Sequence, residues 1–306
     1  MNIRDLQYLV AVHETSNFSK AADKCFVSQP TLSGQLKKLE ESLGAKLMER
    51  STRKVLFTQL GEKVVEQARS VLMTVDNISD LARQSDDPFT GDYHVGLIPT
   101  VAPFLLPLIM PSMSSAYPKM NLFLHELQTD ALIDKLLKGE IDAAILAKLD
   151  WDYPVREYPL YEEAFNLAVS NKDPVASRGR SVSRAVLEDR SVLMLEDGHC
   201  LRDQALGVCF SAGAKEDQRF KATSMETLLH MVATGAGMTL IPELACQKDV
   251  AGISYLPFVD PKPSRDIVML VRNNSSRMSA LEKVRGTIVN AINPVLSKTH
   301  LVGQVA

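Results

Sequence analysis

Apolar residues in the first 45 positions recur at the spacing of short amphipathic helices. Ile3, Leu6 and Val10 share one face of a first helix, and residues 18–24 fit a second short helix. A third helix is predicted from Ser28, a preferred N-cap residue, to Gly44, a typical C-terminal stop. Its apolar stripe steps by four, three and four residues: Leu32, Leu36, Leu39 and Leu43. The pattern therefore predicts three short helices packed on one another.

The opposite face of the third helix starts with small or hydrogen-bonding side chains. A recognition helix presents such groups to base edges in the major groove of DNA. A basic turn then precedes the strand-like Val55–Phe57 and would form a wing on the DNA backbone. A small helical module with a solvated face is the alternative, but the order of the elements favours DNA binding. The predicted DNA contacts are Ser28, Gln29, Pro30, Thr31, Ser33, Gln35, Lys38, Arg50, Arg53 and Lys54.

A long helix is predicted over residues 59–85, with Thr58 as its cap. Small and β-branched residues on it step by four, three, four, three and four, which is a heptad seam. The seam favours a two-stranded contact with a second copy of the chain, and packing on its own domain is the alternative. The seam residues are Val64, Ala68, Val71, Val75, Ile78 and Ala82. A polar segment at 84–92 then marks a domain boundary.

From residue 92 onward, strand-like and helix-like segments alternate. Strands are predicted at 93–98, 122–124, 141–147, 191–195, 237–242 and 267–271. Such alternation predicts a mostly parallel sheet covered by helices, in a domain large enough for two α/β lobes. In folds of this kind the ligand site lies at the carboxyl ends of strands, between the lobes.

Composition narrows the class of protein. The chain has 306 residues and a formal net charge of -3, yet residues 1–60 hold nine Lys or Arg against six Asp or Glu. The first module is therefore locally basic. Four cysteines do not make a disulfide scaffold in a chain of this length. The first residues resemble no signal peptide, and the chain contains no apolar run of membrane-spanning length. We expect a cytoplasmic protein, with no membrane, metal or cofactor.

Two thiols lie nine residues apart in "GHCLRDQALGVC". Cys200 follows a predicted strand, and a helix fits the residues after it. Within a helix, nine residues span about 13.5 Å along the axis, whereas a disulfide needs Cα atoms within about 7 Å. Cys200 and Cys209 pair only if that helix unwinds, which would couple chemistry to refolding. His199 and Arg202 are cationic neighbours of the kind that favour a reactive thiolate. The alternative is two inert core cysteines.

Two threonines follow the first two predicted strands of the second domain. Thr100 stands in "GLIPT" and Thr129 in "LQTD". Each is placed either to cap the next helix or to offer a hydroxyl to a ligand in the cleft. The residues alone leave both interpretations open.

The stretch "FSKAADKCFVSQPTLSGQLKKLEESLGAKLMER" resembles the winged helix-turn-helix of LysR-type transcriptional regulators. The likeness runs without a gap from about Met1 to Gly61. The stretches "LIPTVAPFLLP", "LMLEDGHCLRDQALGVCFSAG" and "ATSMETLLHMVATGAGMTLIP" are similar to members of that family that sense hydrogen peroxide.

The resemblance implies an N-terminal all-α winged helix-turn-helix with a long linker helix, and a C-terminal α/β two-lobed domain built like a periplasmic binding protein. The implied boundaries are 1–60, 61–87 and 88–306. It also implies that Cys200 is the peroxidatic cysteine and Cys209 the resolving one. The positions that match the family's peroxide pocket or assist the reaction are Thr100, Thr129, His199, Asp203 and Arg265.

The implied function is a transcription activator of antioxidant genes that is not an enzyme. Its implied partners are double-stranded promoter DNA, hydrogen peroxide, RNA polymerase, three further copies in a homotetramer (a dimer of dimers), and glutaredoxin or thioredoxin as reductant. Two other hypotheses stay open. One is a LysR regulator whose cleft binds a small organic effector, and the other is a thiol peroxidase, which would have no need of a DNA-binding module.

Overall fold

The computed structural model describes residues 1–50, 55–83, 87–150, 152–177, 181–247 and 250–302. Its contacts divide the chain into two compact units, Met1–Asp86 and Asp87–Ala306. Within the described ranges, no helix is both long and apolar enough to cross a membrane.

The first unit contains four helices and a short hairpin. The helices are α1 (Ile3–Thr15), α2 (Phe18–Lys24), α3 (Gln29–Leu43) and α4 (Gln59–Arg83), and the hairpin strands are β1 (Met48–Arg50) and β2 (Val55–Phe57). The Ser28 side chain accepts a hydrogen bond from the Thr31 backbone N–H, and Gly44 ends α3 in the left-handed conformation. The helix boundaries predicted from Ser28 and Gly44 are confirmed. Thr58 Oγ1 accepts from the Gly61 N–H at 2.9 Å, so the predicted cap of α4 is also present.

The core of the first unit includes the apolar stripe of α3. Leu32, Leu36 and Leu39 are almost fully buried against α1 and α2, whereas Leu43 is 42% exposed at the helix end. Val65 of α4 joins the same core. Gly61 lies where α4 meets the hairpin, and a Cβ there would come within 1.9 Å of the Leu47 carbonyl oxygen. The close approach of these backbones therefore depends on the glycine.

The second unit holds nine strands, five α-helices and three short 3₁₀ helices in its described part. Its strands are β3 (Gly91–Leu97), β4 (Met120–Glu126), β5 (Ala143–Ala147), β6 (Val155–Ser170), β7 (Ser191–Leu195), β8 (Lys215–Ala222), β9 (Thr239–Pro242), β10 (Ile253–Pro257) and β11 (Ser264–Arg272). Its α-helices are α5 (Ala102–Ala116), α6 (Thr129–Leu137), α7 (Cys200–Ser211), α8 (Met225–Thr234) and α9 (Met278–Val302).

Two buried cores lie within this unit and define its two lobes. The first lobe is packed around β3, β5, α5, α6 and α9, and the second around β7, β9, α7 and α8. β6 serves both cores, because Tyr161 packs in the first and Phe165 in the second. β6 and β11 together therefore join the lobes. The predicted two-lobed α/β fold is confirmed.

The expectation of a mostly parallel sheet is wrong. The seven-stranded sheet has the order β10–β6–β11–β5–β3–β4, with β9 also on β6, and only β3 pairs in parallel, with β4 and β5. β11 runs antiparallel to both β5 and β6. β9 and β10 also pair antiparallel with β6, so every described pairing of the two joining strands is antiparallel. β7 and β8 form a separate parallel pair.

Two glycine substitutions in the first unit should have opposite effects on its stability. Gly61→Ala forces a backbone contact apart and should destabilise the unit by roughly 1–3 kcal/mol. Gly34→Ala lies in the interior of α3, where a Cβ meets nothing within 4 Å, and should stabilise it by about 0.5–1 kcal/mol. Hydrogen–deuterium exchange of peptides from residues 1–50 measures both changes. Equal exchange in the two variants would contradict the close approach at Gly61.

Candidate functional site

The carboxyl end of β7 leads directly to the start of α7. β7 ends at Leu195, and α7 begins at Cys200 with His199 as the extended N-cap residue. Gly198 has a φ of +93°, and a Cβ there would lie 2.6 Å from Gln128 Oε1. Glycine suits both conditions. The link therefore fits closely against Gln128 and sets Cys200 at the positive end of a helix.

The two thiols are anchored in different cores. Cys200 is 5% exposed and belongs to the core of the first lobe, whereas Cys209 is 1% exposed and belongs to the core of the second. Both are free thiols, as are Cys25 and Cys246. Since α7 is continuous from Cys200 to Ser211, nine helical steps separate Cys200 from Cys209. A disulfide between them requires the helix to open and at least one thiol to leave its core.

Burial also controls the chemistry of the second thiol. It raises the pKa of Cys209 to about 12, so this group stays protonated at neutral pH. Burial likewise raises the pKa of Cys246 to about 12, and Asn166 Nδ2 lies 3.2 Å from its sulfur. Both thiols are poor nucleophiles in this conformation, because the thiolate is the reactive form.

Arg265 is held near the start of β11 by a fully buried set of polar contacts. Its Nε donates to Glu163 Oε1 at 2.9 Å, and its Nη2 lies 2.8 Å from the same oxygen as an ion pair. Its Nη1 donates to Thr100 Oγ1 at 3.2 Å, and Nη2 donates to the Thr100 carbonyl oxygen at 3.1 Å. The structure thus brings together Arg265 and Thr100, two of the residues predicted for the pocket. Glu163 joins them.

Neither predicted threonine caps a helix. The N-cap residue of α5 is Val101, which follows Thr100. The N-cap residue of α6 is Gln128, and Thr129 is the first residue within that helix. Thr129 is buried, and its Oγ1 has no hydrogen-bond partner in the described part of the chain. A buried hydroxyl without a partner is costly and marks a position where a ligand or water would be stabilised. The capping interpretation of Thr100 and Thr129 is therefore not supported, and the ligand interpretation stays a prediction.

The structure does not place Asp203 with these residues. Its side chain is 75% exposed on the first turn of α7, where a carboxylate oxygen lies 3.7 Å from Arg202 Nη1. Solvation explains this position, because an unpaired carboxylate is unfavourable in either core. Arg202 Nη2 donates to both oxygens of Glu216, and Nη1 lies 3.1 Å from Asp197. The charge of Arg202 is thus compensated by carboxylates rather than offered to Cys200.

A cavity of about 540 Å³ opens beside this site. It lies at the ends of β3, β4 and β7 and the start of α8, which is the predicted position between the lobes. Thr100 and His199 contribute polar groups to its wall, and Phe104, Leu195 and Met225 contribute apolar ones. His199 is 5% exposed overall. The cavity is larger than a peroxide molecule needs.

Seven of the predicted DNA-reading residues lie on α3 or at its N-cap. Ser28, Gln29, Pro30, Thr31 and Lys38 are exposed, and Ser33 and Gln35 are half-buried. Ser28 Oγ lies 2.7 Å from Thr31 Oγ1. Arg50 belongs to β1, although its side chain is not described, and Arg53 and Lys54 lie outside the described residues.

The first part of the predicted dimerisation seam faces inward. Ala68 is 2% exposed and packs in the core of its own unit, and Val64 is half-buried against the same core. Arg69 pairs with Glu14 of α1 at 2.7 Å, which keeps this part of α4 on α1. Ala68 therefore cannot contact a partner helix, and the prediction is corrected there. Heptad spacing identifies residues that share one side of α4, but at Ala68 that side packs against the core of its own unit.

The later part of the seam is more open. Val71 and Ile78 are 43% and 63% exposed, and Val75 is half-buried. The side chain of Ala82 is not described. Exposed apolar residues at heptad spacing suit a contact with another helix.

Sequence reasoning missed two residues of this site, Glu163 and Gln128. Glu163 lies inside a strand that the pattern did not reveal, and Gln128 precedes a threonine that drew attention for its hydroxyl. A charged residue between apolar positions of a strand is the one signal that marks Glu163, since buried charges are paired.

Comparison with known proteins places this architecture. Residues 3–62 match the bacterial regulatory helix-turn-helix proteins of the lysR family, and residues 86–292 match the LysR substrate binding domain. The chain belongs to the LysR family of transcriptional regulators. The family is one of DNA-binding regulators, so the enzyme hypothesis is not supported.

Named relatives of this LysR regulator are peroxide-responsive. It is 49% identical over 290 residues to the Escherichia coli K12 DNA-binding transcriptional dual regulator OxyR, which covers 94% of this chain and 95% of the relative. A hydrogen peroxide-inducible genes activator of Dickeya chrysanthemi has the same identity and coverage. A cysteine-to-aspartate variant of full-length Pseudomonas aeruginosa OxyR superposes with a TM-score of 0.77, at 35% identity and 94% coverage of both chains.

Burial predicts slow alkylation of Cys209 in the reduced, native regulator. With a pKa of about 12, its thiolate fraction at pH 8 is on the order of 10⁻⁴. Iodoacetamide followed by peptide mass spectrometry should therefore leave Cys209 and Cys246 unlabelled in minutes and label both fully in urea. Rapid native labelling of Cys209 would show that α7 opens without oxidation.

Proposed function

We propose that this regulator senses hydrogen peroxide through a thiol–disulfide switch between Cys200 and Cys209. The observation that carries the proposal is that one helix holds one thiol in each core. Oxidation that joins these thiols must open α7, so a chemical event becomes a structural one. The names of the relatives support peroxide as the oxidant, and a mutant of Corynebacterium glutamicum OxyR with hydrogen peroxide bound superposes at a TM-score of 0.67 and 32% identity, covering 99% of this chain and 96% of that one.

The proposed chemistry consumes one peroxide and two thiols. The Cys200 thiolate attacks one peroxide oxygen, an S–O bond forms, and the O–O bond breaks. The departing hydroxide takes a proton and leaves as water. Cys209 then attacks the sulfenic acid sulfur, the S–S bond forms and the S–O bond breaks, and the departing hydroxyl takes the Cys209 thiol proton and leaves as a second water. The two sulfurs lose two electrons, and peroxide is reduced to two waters.

The buried polar groups suit the first of these steps. Arginine only donates hydrogen bonds, so Thr100 Oγ1 must accept from Arg265, and the hydroxyl proton of Thr100 remains to be donated elsewhere. Thr129 Oγ1 is free to donate or accept. We propose that these two hydroxyls and His199 hold the peroxide, and that Arg265 stabilises charge that develops on the departing oxygen. Asp203 has no proposed contact with peroxide, given its exposure.

The second step depends on the opening of α7. While Cys209 stays in the second core, its high pKa and its distance along the helix prevent attack on the sulfenic acid. Opening of the helix exposes the thiol to water, which brings the pKa back toward its ordinary range. Resolution and refolding are then one event.

The family and the exposed surfaces suggest how the signal reaches DNA. We propose a homotetramer, a dimer of dimers, that uses Val71 and Ile78 of α4 and surfaces of the second unit. We also propose that the new disulfide resets the spacing of the α3 helices on promoter DNA, with antioxidant genes activated through RNA polymerase. Glutaredoxin or thioredoxin would reduce the disulfide, in the cytoplasm. The proposed boundaries remain 1–60, 61–87 and 88–306.

A second candidate function rests on the cavity beside His199. Its volume of about 540 Å³ and its mixed wall suit a small organic effector. In that case Cys200→Ser would leave the response of the regulator intact.

Thiol mapping distinguishes these functions. About one equivalent of peroxide should rapidly remove two titratable thiols from the wild type and yield a disulfide between Cys200 and Cys209. In the Cys209→Ser variant, oxidation of Cys200 should stop at the sulfenic acid. In the Cys200→Ser variant, Cys209 should be oxidised no faster than Cys246. Intact-mass and peptide mass spectrometry measure each product. A Cys200 that stays reduced while Cys246 oxidises would favour the effector function.

The unpartnered hydroxyl of Thr129 gives a second prediction. Thr129→Val keeps the side-chain shape and removes a buried group without a partner, so the free energy of unfolding should stay equal or rise. The rate constant of Cys200 oxidation should fall on the order of 100-fold, as when one donor to a developing charge is lost. Stopped-flow oxidation and chemical unfolding measure the two quantities. Asp203→Asn is the matched control and should change the oxidation rate constant and the free energy of unfolding only slightly. An unchanged oxidation rate in Thr129→Val would show that Thr129 does not belong to the pocket.

A further inference from the structure

Glu163 lies on β6, one of the two strands that join the lobes, directly opposite Arg265 on β11. Its Cα is the direct antiparallel partner of the Arg265 Cα in the pairing of β6 and β11. Both side chains are 1% exposed. Two residues before Glu163, Tyr161 packs in the first core, and two residues after it, Phe165 packs in the second. The ion pair is therefore set between the two cores.

The carboxylate of Glu163 is used on both of its oxygens. Oε1 accepts from Nε of Arg265 and lies 2.8 Å from its Nη2, and Oε2 accepts from the Leu244 backbone N–H at 3.2 Å. Leu244 belongs to the 3₁₀ helix Glu243–Gln247, which follows β9. The backbone contact fixes the rotation of the carboxylate, and the carboxylate in turn fixes one edge of the guanidinium.

The orientation of the guanidinium decides what Thr100 can do. With Nε and Nη2 on Glu163, the adjacent edge of the planar group, between Nη1 and Nη2, meets Thr100, where Nη1 reaches Oγ1 and Nη2 reaches the carbonyl oxygen. Because Arg265 only donates, this contact makes Thr100 Oγ1 an acceptor. The hydroxyl proton of Thr100 is then directed away from Arg265.

We propose that Glu163 is a positioning residue for the reaction of Cys200 with peroxide: it orients Arg265, and through Arg265 it makes the Thr100 hydroxyl a donor to the peroxide. The inference rests on the proposed function. Glu163 itself has no proposed contact with peroxide, and its effect passes through two hydrogen bonds. A buried ion pair is weak evidence for stability in general, whereas the approach of two guanidinium nitrogens to one fixed carboxylate oxygen restricts the orientation of Arg265.

A double-mutant cycle between Glu163→Gln and Thr100→Val tests this route in the full chain. The rate constant of Cys200 oxidation is measured by stopped flow in a Cys209→Ser background, and the melting temperature is measured on the same samples. Thr100→Val should slow oxidation on the order of 100-fold. Glu163→Gln should slow it similarly, since the uncharged amide has one acceptor oxygen in place of two and cannot accept from both Arg265 and the Leu244 N–H. The double variant should be slower than Thr100→Val by a much smaller factor than the one by which Glu163→Gln slows the wild type, while the melting temperature falls with Glu163→Gln in both backgrounds.

Other outcomes would overturn the inference or its premise separately. If Glu163→Gln slows oxidation equally with and without the Thr100 hydroxyl, or leaves the rate unchanged, Glu163 does not act through Thr100. If Thr100→Val leaves the rate unchanged, the proposed pocket itself fails. Glu162→Gln is the matched control, because Glu162 is exposed on the same strand and its side chain accepts from the Ser264 hydroxyl at 2.6 Å. The oxidation rate of this variant should equal that of the wild type.

A conservative variant covers the case in which Glu163→Gln does not fold. Glu163→Asp keeps the charge but withdraws the carboxylate by one methylene, so it should fold while its oxidation rate falls between those of the wild type and Thr100→Val. A folded Glu163→Asp that oxidises at the wild-type rate would overturn the inference.

Discussion

Helical geometry is the constraint on which the rest of this molecule depends. α7 is one continuous helix whose first residue, Cys200, packs in one core and whose tenth, Cys209, packs in another. Helical rise and rotation keep the thiols apart as long as the hydrogen-bonded ladder is intact. The intact helix therefore keeps the two thiols apart, and the packing of one thiol in each core stabilises the helix in this conformation. The low reactivity of Cys209 and the link at Gly198 both follow from the same packing.

The strands that join the lobes supply the polar half of the site. β6 and β11 carry a buried carboxylate and a buried guanidinium opposite one another, close to the point where the chain passes from one core to the other. Burial of both charges is tolerable because each has several partners. Their placement allows one set of contacts to reach Thr100 in the first lobe and Leu244 beyond β9. The lobes and the pocket are therefore joined by the same few hydrogen bonds.

The sequence predicted the first unit better than the second. Ser28, Gly44 and Thr58 gave boundaries that hold, because caps and stops act through local hydrogen bonds. β6 escaped prediction since Pro159 and Glu163 both argue against a central strand. The structure accommodates Pro159 at an irregularity, where Ile267 pairs with Tyr161 and the next residue, Val268, pairs with Pro159. β6 is stabilised by pairing with strands that are distant in sequence, such as β11, and no local sequence pattern indicates that pairing.

The same distinction applies within the candidate site. Cys200, Cys209, Thr100 and Arg265 could be named from the sequence because the resemblance identifies them by residue type and position. Asp203 was named on the same basis, yet solvation turned it outward. Ala68 fits a heptad by spacing, but contacts with α1 decided its face. Spacing along a helix shows which residues share one side, but it does not show which part of the protein or of a partner packs against that side.

The small β7–β8 pair has a consequence for how quickly the regulator returns to its starting state. β8 pairs with β7 alone in the described part of the chain, and it is tied to the first turn of α7 by Arg202 and Glu216. A rearrangement of this segment leaves the seven-stranded sheet, with its slow long-range pairings, in place. Re-forming one helix takes about a microsecond. For the proposed switch, reduction of the disulfide rather than refolding of α7 would therefore set the rate of return.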